Sequence, residues 1–587
     1  MYWNSVLLIR LDRCDTMVPM YIEAVPNRSS PPAILLRQGH REGGRVVKKT
    51  LANLSHWPKE KIEAFRRFLK GEPLISVGDA LRVESSVPHG HVMAVLGTMR
   101  KLGMESILSS QACRERGLVM GMIAERLIHP GSKLATARTW HQSSLADELG
   151  VTDAGVEELY SALDWLLACK ARIEAKLAKR HLEEGALVLY DTSTSFYTGR
   201  TCPLARFGHD RDKSGFPVIL YGVLTSGLGC PVGVEVYPGN TGDPTTVADQ
   251  VDKLKTRFFL SSVVVAGDRG MLTQAQIDKL KQREGMGWIS CLRSQSIRGL
   301  LDKGVVQPSL FDERNLAEIT SPDFPGERLV ACFNPFLADE RRRKREELLL
   351  MTERHLGSLS REVKRRKKKL LGQGEIGLKA GKILGRYKMG KHFLLTIGEG
   401  SFEWKRREEA IAREAQLDGI YVIRTSVPEE KLSAQDAVRN YKSLSLVERA
   451  FRCLKGVDLF VRPIHHRDED RVRAHIFLCM LAYYVEWHMR RALAPLLFHD
   501  EDLEADRRIR DPVAPARPSP SVQRKKLQKK TDDGLEVHSF RDLIQALGLR
   551  AKILCRFGVD PTAPLVTRIS ESTPLQARVF DLLGLRA

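Results

Sequence analysis

The sequence has few features of a secreted protein or of a zinc-ribbon protein. Its ten cysteines occur singly among 587 residues, and no two of them form a C-x-x-C pair. A disulfide framework needs a much higher density of cysteine, and a zinc ribbon needs close thiol pairs. We therefore expect reduced cysteines that pack as small core residues in a cytosolic protein.

Long apolar runs are also missing. The most apolar stretch, residues 476–485, is broken by Glu486 and is much shorter than the roughly 20 residues that span a bilayer. Residues 1–15 contain only the short apolar run 6–9, which is too brief for the core of a signal peptide. These absences predict a cytoplasmic location and no membrane partner.

Acidic residues are too few to balance the basic ones. The chain has 93 Lys and Arg against 72 Asp and Glu, which gives a formal net charge of +21. Apolar residues make up 43% and charged residues 28%, as in ordinary globular proteins, and the length predicts three or four domains at about 150 residues each. The basic excess indicates a polyanionic partner, with nucleic acid favoured over a membrane surface.

The middle of the chain predicts an α/β domain with a mixed sheet. Short apolar strands separated by turns are predicted at residues 186–190, 216–224, 231–237, 262–266 and 420–424. A helix is predicted at 245–257, and this order of strands and helix is typical of a mixed sheet with helices packed on it. Strands at 20–24, 33–37 and 45–54 and a helix from Pro58 predict a strand-plus-helix N-terminal region.

Two aspartates follow apolar strands in this region. Asp191 and Asp268 each stand where a strand gives way to small and polar residues. Sites of open α/β sheets lie beyond the carboxyl ends of strands, and two carboxylates there can hold Mg²⁺ or Mn²⁺. Aspartate is also common in ordinary loops, so the pair by itself is a weak signal.

A glutamate in a predicted helix adds a third carboxylate. If residues 433–455 are helical throughout, Tyr441, Glu448 and Lys455 are seven residues apart and share one face, with Arg452 beside them. Such a face suits a site where metal and phosphate meet, because the cations and the phenol can hold a nucleic acid strand. The alternative is a solvated helix face with ordinary Glu–Arg pairs.

Three motifs together resemble the DDE transposases of bacterial insertion sequences. They are Tyr190-Asp191-Thr-Ser-Thr, Gly267-Asp268-Arg269-Gly270-Met271 and Tyr441-x6-Glu448-x6-Lys455. The third is similar to the class with a Y-x2-R-x3-E-x6-K signature, and the residues from Val447 to Lys455 are similar to the insertion-sequence 1634 group. One position differs, since Leu444 stands where that signature has arginine, and the candidates to replace it are Lys442, Arg449 and Arg452.

The resemblance implies an RNase H-like catalytic domain that uses two divalent ions, Mg²⁺ or Mn²⁺. The residues that it implies as catalytic and as metal ligands are Asp191, Asp268 and Glu448. Those that it implies as DNA-binding are Tyr441, Arg449, Arg452 and Lys455. The implied reaction is cleavage of double-stranded DNA at the ends of an insertion sequence and transfer of the 3′-ends into target DNA, at the bacterial nucleoid. A homodimer or higher oligomer is expected, because two ends must be joined.

Composition and resemblance together predict seven segments. The sheet domain is expected to be interrupted by an insertion, which contains a long charged helix at 338–370 and basic runs at 341–345 and 364–369. These runs suit DNA phosphates, with a solvated helix face as the alternative. The predicted segments are an upstream extension (1–19), a DNA-end-binding region (20–184), the catalytic domain in two parts (185–292 and 419–495), the insertion (293–418), a linker (505–540) and a helical tail (541–587).

Two other functions remain open at this stage. An RNase H-like nuclease without strand transfer would share the three carboxylates. A catalytically silent DNA-binding protein derived from a transposase would use only the basic surface. Cleavage and joining of DNA ends distinguish the three possibilities.

Overall fold

The computed structural model describes residues 20–586 except 29, 43, 72–80, 366–369, 371 and 558–561. The predicted upstream extension, 1–19, therefore lies outside the described residues, as do residues 366–369 of the second basic run. The chain divides into two compact units. The first comprises Met1–Ser86 and Ile553–Ile569, and the second comprises Val87–Lys552 and Ser570–Ala587.

The described residues form sixteen strands and twenty-one α-helices. The strands are β1 (Met20–Val25), β2 (Ala33–Glu42), β3 (Arg45–Asn53), β4 (Leu81–Pro88), β5 (Ala186–Phe196), β6 (Val218–Ser226), β7 (Pro231–Pro238), β8 (Val263–Ala266), β9 (Met286–Cys291), β10 (Leu316–Ile319), β11 (Arg328–Phe333), β12 (Phe393–Gly398), β13 (Ser401–Arg406), β14 (Ile420–Thr425), β15 (Ala551–Phe557) and β16 (Leu565–Ile569). The helices are α1 (Lys59–Leu69), α2 (Gly90–Lys101), α3 (Met104–Leu108), α4 (Arg114–Ile128), α5 (Lys133–Thr139), α6 (Leu145–Leu149), α7 (Val156–Ala168), α8 (Lys170–His181), α9 (Thr246–Asp252), α10 (Gln274–Lys281), α11 (Ser294–Asp302), α12 (Pro335–Val363), α13 (Gln373–Tyr387), α14 (Glu408–Ala415), α15 (Ala434–Lys442), α16 (Leu444–Arg452), α17 (Glu469–Ala492), α18 (Leu503–Ile509), α19 (Pro520–Gln528), α20 (Phe540–Gly548) and α21 (Pro574–Leu583).

The first unit contains two small sheets and one helix. Strands β1, β2 and β3 form an antiparallel sheet, and α1 follows Pro58, so the strands and the helix predicted for this stretch are confirmed. A second sheet has the order β16-β15-β4. Strands β15 and β16 lie in the tail that is predicted to be helical, so that prediction holds only for α20 and α21. The helices α2 to α8, grouped with the N-terminal strands by sequence, belong to the second unit.

The second unit is built on an eight-stranded mixed sheet. Its strand order is β10-β11-β14-β9-β8-β5-β6-β7. Strands β5, β8 and β9 are parallel neighbours, whereas the pairs on either side of them are antiparallel. All nine residues of β6 are buried, and α17 packs against β7. The predicted α/β class is therefore confirmed.

Strand β5 is longer than predicted and contains Asp191 within it. The apolar part ends at Tyr190, but the chain stays paired with β6 as far as Phe196. The polar residues that follow are buried because their side chains have partners: the hydroxyls of Ser195 and Tyr221 lie 3.0 Å apart, and Thr192 Oγ1 donates to Asp243 at 3.0 Å. The prediction that Asp191 ends its strand is wrong, since satisfied hydroxyls continue a strand as well as apolar residues do.

The segment predicted as an insertion has two structural parts. Strands β10 and β11, at its start, pair antiparallel with each other and with β14 in the main sheet. Helices α12 to α14 and the hairpin β12–β13 instead surround a separate small core, whose buried members include Leu349, Leu356, Ile376, Phe393 and Phe402. The chain thus leaves the sheet after β11 and returns to it at β14.

The helix predicted at 433–455 is divided in the structure. α15 ends at Lys442, α16 begins at Leu444, and a π-helical turn follows at Cys453–Val457. The hydroxyl of Ser443 donates to the carbonyl oxygen of Arg439 at 3.0 Å, and bonds of this kind bend helices. The prediction of one continuous helix is therefore wrong at this position.

The segment predicted as a linker is folded onto the second unit. It contains most of α18 and all of α19, and Val513 and Val522 are buried. The Lys442 ammonium donates to the carbonyl oxygens of Val513 and Ala514 at 3.0 Å each. The many Pro, Lys and Arg residues predict a free linker, but scattered apolar residues such as Val513 and Val522 pack into the core and anchor the segment. No helix in the described part of the chain is both long and apolar enough to cross a membrane.

Candidate active site

The three carboxylates singled out in the sequence line one open cavity in the second unit. Asp191 comes from β5, Asp268 from the turn after β8, and Glu448 from α16. The cavity has a volume of about 1000 Å³. Its other lining residues include Ser193, His209, Arg211, Asp212, Asp243, Tyr441, Lys442, Leu444, Arg452, Lys455 and Arg462.

The parallel pairing of β5 and β8 brings the two aspartates to the same level of the sheet. Leu189 lies opposite Ala266 in this pair, and each aspartate follows two residues later. The Asp268 Oδ1 atom accepts hydrogen bonds from the backbone N–H groups of Gly270 and Met271 at 3.0 and 2.7 Å. This turn holds the carboxyl group beside Asp191.

The raised pKa of Asp191 reflects its burial first and the proximity of the other two carboxylates second. The pKa of Asp191 is raised to about 7, chiefly by burial and to a smaller extent by the charges of Asp268 and Glu448, although the Arg211 guanidinium and the N–H group of Thr192 lower it. Like charges within electrostatic reach disfavour ionisation of a carboxyl group. The pocket therefore concentrates negative potential, and a carboxyl pKa displaced by several units is typical of functional sites.

Glu448 reaches the cavity because the opposite face of α16 is anchored in the core. Val447, Ala450 and Phe451 are buried, α16 packs against β5, and the ring of Phe451 meets that of Tyr221 at 5.8 Å. Glu448 is exposed and accepts no hydrogen bond from any residue that the structure describes. Its carboxylate is thus available to a ligand.

The structure brings most of the predicted DNA-binding residues to this cavity. The cavity is lined by Tyr441, Arg452 and Lys455. Lys455 does not belong to α16 but to the π-helical turn that follows it. Burial raises the pKa of the Tyr441 phenol, and the nearby charge of Asp268 contributes to the rise. The Lys455 ammonium lies 3.6 Å from Asp212, and burial lowers its pKa.

Arg449 is not part of this cavity. Its guanidinium lies 3.1 Å from Nδ1 of His499, and it lines a different pocket on the other side of α16. Lys442 does line the cavity, but its ammonium donates to the carbonyl oxygens of Val513 and Ala514. Arg452 is exposed and has no hydrogen bond or ion pair with any described residue, so it is the best placed of the three candidates to replace the arginine missing at Leu444.

Sequence reasoning missed Arg211 as a site residue. Its guanidinium donates to the carbonyl oxygen of Thr192 and, at 3.1 Å, to the Thr192 hydroxyl, and it pairs with Asp243 at 3.2 Å. These contacts fasten the loop between β5 and β6 to the strand residue next to Asp191. Nothing in the local sequence indicates that Arg211 folds back onto β5.

If Asp191 holds a catalytic ion, as the resemblance implies, Arg211→Ala should reduce DNA cleavage by about 10- to 100-fold, as expected for a residue that orients a metal ligand. The substitution removes the cation that favours ionised Asp191 and loosens the loop. Lys213→Ala, an exposed position in the same loop, is the matched control and should retain activity. Equal activities of the two variants would contradict a positioning role for Arg211.

A buried ionic cluster supports the turn that carries Lys455. Arg490 donates to Glu486 at 2.5 Å and to Asp458 at 2.7 Å, and the Glu486 side chain is fully buried. Burial raises the pKa of Glu486 to about 8. In the unfolded chain this carboxyl group would ionise near pH 4.5. Between these pH values the folded state binds more protons than the unfolded state.

It follows that Glu486 makes the free energy of unfolding decrease as pH rises through this window, by up to about 1.4 kcal/mol per pH unit. We predict that Glu486→Gln removes this dependence, so that the stability of the variant relative to the unmodified protein increases from near pH 5 to near pH 8. Urea denaturation at the two pH values measures the difference. If the two proteins differ in stability by the same amount near pH 5 and near pH 8, the prediction is wrong.

The oxygen-rich cavity fits a divalent ion of the Mg²⁺ type. Carboxylates are the ligands that this ion prefers, and no described residue donates a hydrogen bond to Asp268 Oδ2 or to Glu448. The residues that would hold it are Asp191, Asp268 and Glu448. The oxygen atoms of the three cavity carboxylates do not all lie within 4.8 Å of one another. Two other groups of potential metal ligands in the described chain are that closely spaced.

Comparison with protein families agrees with this arrangement. Residues 192–485 match the family described as Transposase DDE domain. This match begins one residue after Asp191 and includes both Asp268 and Glu448. Residues 23–76 match the family described as IS1634 family transposase, N-terminal domain. No functionally curated protein matches the chain.

Proposed function

Because the chain belongs to the DDE transposases of the IS1634 group, we propose that it cleaves double-stranded DNA at the ends of its insertion sequence and transfers the 3′-ends into target DNA. The observation that carries this proposal is the convergence of three carboxylates on one open cavity from β5, the turn after β8 and α16. A cavity of about 1000 Å³ that opens to solvent can admit a DNA backbone.

We assign separate tasks to the residues of the cavity. Asp191, Asp268 and Glu448 hold the divalent ions, two in this proposal, which when bound activate the attacking oxygen and stabilise the leaving oxygen. Arg452 and Lys455 bind phosphate groups on either side of the cleaved bond, because they are the cations on the α16 side of the cavity. Tyr441 contacts the DNA strand beside Asp268. Arg211 keeps Asp191 in position.

We further propose an RNase H-like identity for the sheet of the second unit. Helices α12 to α14 and the hairpin β12–β13 would then be an insertion between β11 and β14. Most basic residues of α12, among them Arg342 and Arg343, are exposed and suit DNA phosphates, whereas Arg345 is buried and pairs with Asp418. Residues 20–184 would bind the DNA ends, and a homodimer or higher oligomer at the bacterial nucleoid would join two ends.

Three outcomes of one assay separate this function from its alternatives. The purified chain is incubated with Mg²⁺, a supercoiled target plasmid and a labelled duplex that carries the inverted repeats flanking its gene. Cleaved ends that become joined to the plasmid support a transposase. Cleavage without joining indicates a nuclease, and binding without cleavage indicates a silent DNA-binding protein. The last two results would each contradict the proposal.

A further inference from the structure

Three potential ligands of a transition metal meet in the second unit, away from the carboxylate cavity. His181 ends α8, Cys230 lies in the turn between β6 and β7, and His488 lies in α17. One ligand atom from each lies within 4.8 Å of the other two. Imidazole nitrogen and thiolate sulfur are the ligands that Zn²⁺ prefers. Since the three residues are far apart in sequence, only the fold brings them together.

The side chains of this group have unused capacity for a ligand. Cys230 is 1% exposed, and His488 Nε2 is buried without a hydrogen-bond partner among the described residues. Buried polar atoms normally have a partner, so an orphaned ring nitrogen beside a thiol requires an explanation. Burial lowers the pKa of both His181 and His488 to about 4, which keeps the imidazoles in the neutral form that binds metals.

A hydrogen bond from outside the group orients one of the imidazoles. The Tyr484 hydroxyl lies 3.0 Å from Nε2 of His181 and accepts a hydrogen bond from Arg180 at 3.3 Å. Histidines that bind metals usually have such a contact on the nitrogen that does not face the metal. The ring of His181 is therefore held in the way that a ligand would be.

We propose that His181, Cys230 and His488 bind one Zn²⁺ ion. In a tetrahedral site with Zn–N near 2.0–2.1 Å and Zn–S near 2.3 Å, neighbouring ligand atoms are about 3.5 Å apart. The separations of up to 4.8 Å therefore close with side-chain movements of about 1 Å. Binding releases the thiol proton of Cys230 to solvent and leaves a thiolate–Zn²⁺ bond.

The surroundings allow an ion to enter and a water to complete the shell. His181 and His488 line an open cavity of about 830 Å³, which gives the ion a path from solvent. A water from this cavity takes the fourth position. The nearby charges of Arg491 and Arg180 favour the thiolate form of Cys230, against the effect of burial, which raises the pKa of the thiol.

The second group of closely spaced ligand atoms is a poorer candidate. It consists of Cys453, Asp458 and Glu486. The Arg490 guanidinium already donates to both of its carboxyl groups, at 2.7 and 2.5 Å, and supplies the positive charge that an ion would bring. No described residue forms an ion pair of this kind within the His181 group.

The Zn²⁺ ion would have a structural role that is separate from DNA cleavage. Helices α8 and α17 both pack against β7, and the ion would tie each of them to the turn at the start of that strand. No residue of this site lines the carboxylate cavity. We therefore expect the ion to raise the unfolding temperature of the chain without taking part in the reaction.

Cobalt substitution tests this site independently of catalysis. The full chain is freed of metal with a chelator and titrated with Co²⁺, which gives a thiolate-to-cobalt charge-transfer band only when a cysteine is a ligand. We expect the band to saturate at one equivalent, to disappear when Zn²⁺ is added, and to persist in Glu448→Gln, where the DNA site is altered. A metal-free chain that shows no such band overturns the proposal, whether or not it cleaves DNA.

Three variants locate the cobalt site. Cys230→Ser should abolish the band, and His488→Ala should weaken Co²⁺ binding at least tenfold. Cys202→Ser, which changes another buried cysteine outside both ligand groups, is the matched control and should retain the full band. Circular dichroism verifies that each variant is folded. A band that survives Cys230→Ser, or that is lost in Cys202→Ser, would also overturn the assignment.

Discussion

Glu448→Gln is expected to lower the rates of both DNA cleavage and strand transfer by about a thousandfold or more. The amide has the shape of the carboxylate but lacks its charge, so it is a poor ligand for a divalent ion. Because Glu448 is exposed and accepts no hydrogen bond from a described residue, the free energy of unfolding should change by no more than about 0.5 kcal/mol. The measurements are the cleavage and joining assay and urea denaturation.

The matched control for this prediction is Glu429→Gln. Glu429 is another exposed glutamate, in the turn before α15, and it does not line the carboxylate cavity. It should keep full activity, and both variants should still bind the duplex in a gel-shift assay, because the cations proposed to bind phosphate are untouched. Substantial cleavage by folded Glu448→Gln protein would remove Glu448 from the proposed catalytic residues.

The two aspartates could be predicted because their signal is local. Each stands one or two residues after a short apolar run, and the parallel pairing of β5 with β8 then places Asp191 and Asp268 side by side. Sequence could not indicate that β5 continues to Phe196, since this depends on partners such as Asp243 and Tyr221 that are distant in the chain. Local composition therefore identified the carboxylates but misplaced the end of the strand.

The helix residues show where periodicity is insufficient. A spacing of seven correctly grouped Tyr441, Glu448 and Lys455, which all line the cavity. The same reasoning could not tell that Arg449, next to Glu448, turns towards His499. Nor could it show that Lys442 is already engaged by a segment some 70 residues further along the chain. Such long-range contacts decide which cations remain free.

Short strands were the main omission. Strand β9 includes Gly287 and a single buried tryptophan, Trp288, and β10 has only four residues. Neither has the continuous apolar run or the strict alternation by which strands are recognised. Strand β10 is an edge strand that pairs only with β11 in the described sheet, whereas β9 is stabilised by its neighbours β8 and β14, and β14 is more than 120 residues away from β9 in the sequence. A pattern read in short windows cannot include that pairing.

The largest loss of stability is expected from Glu327→Ala, about 3–5 kcal/mol in the free energy of unfolding. Glu327 accepts two hydrogen bonds from Arg424, both at 2.7 Å, and their side chains are only 1% and 7% exposed. Without Glu327, the buried guanidinium retains Gln274, at 2.9 Å, and the ring of Phe324 as its contacts. Urea denaturation followed by circular dichroism measures the loss.

A nearby ion pair provides the comparison that makes this prediction decisive. Glu318 pairs with Arg328, but it is 35% exposed, and Arg328 also donates to the carbonyl groups of Val427 and Leu432. Glu318→Ala should therefore cost less than about 1 kcal/mol. Equal losses in the two variants would show that burial of the Arg424 charge is not the cause.

The same reasoning predicts that a second substitution rescues the first. Arg424→Met in the Glu327→Ala background removes the unpaired buried charge, so the double variant should be more stable than Glu327→Ala alone. Arg424 lies in β14 and donates a hydrogen bond to Gln274, the first residue of α10. This helix follows the turn that holds Asp268. Recovery of DNA cleavage together with stability would show that this ion pair affects the reaction only through the stability of the fold, because the double variant also lacks the contact with Gln274.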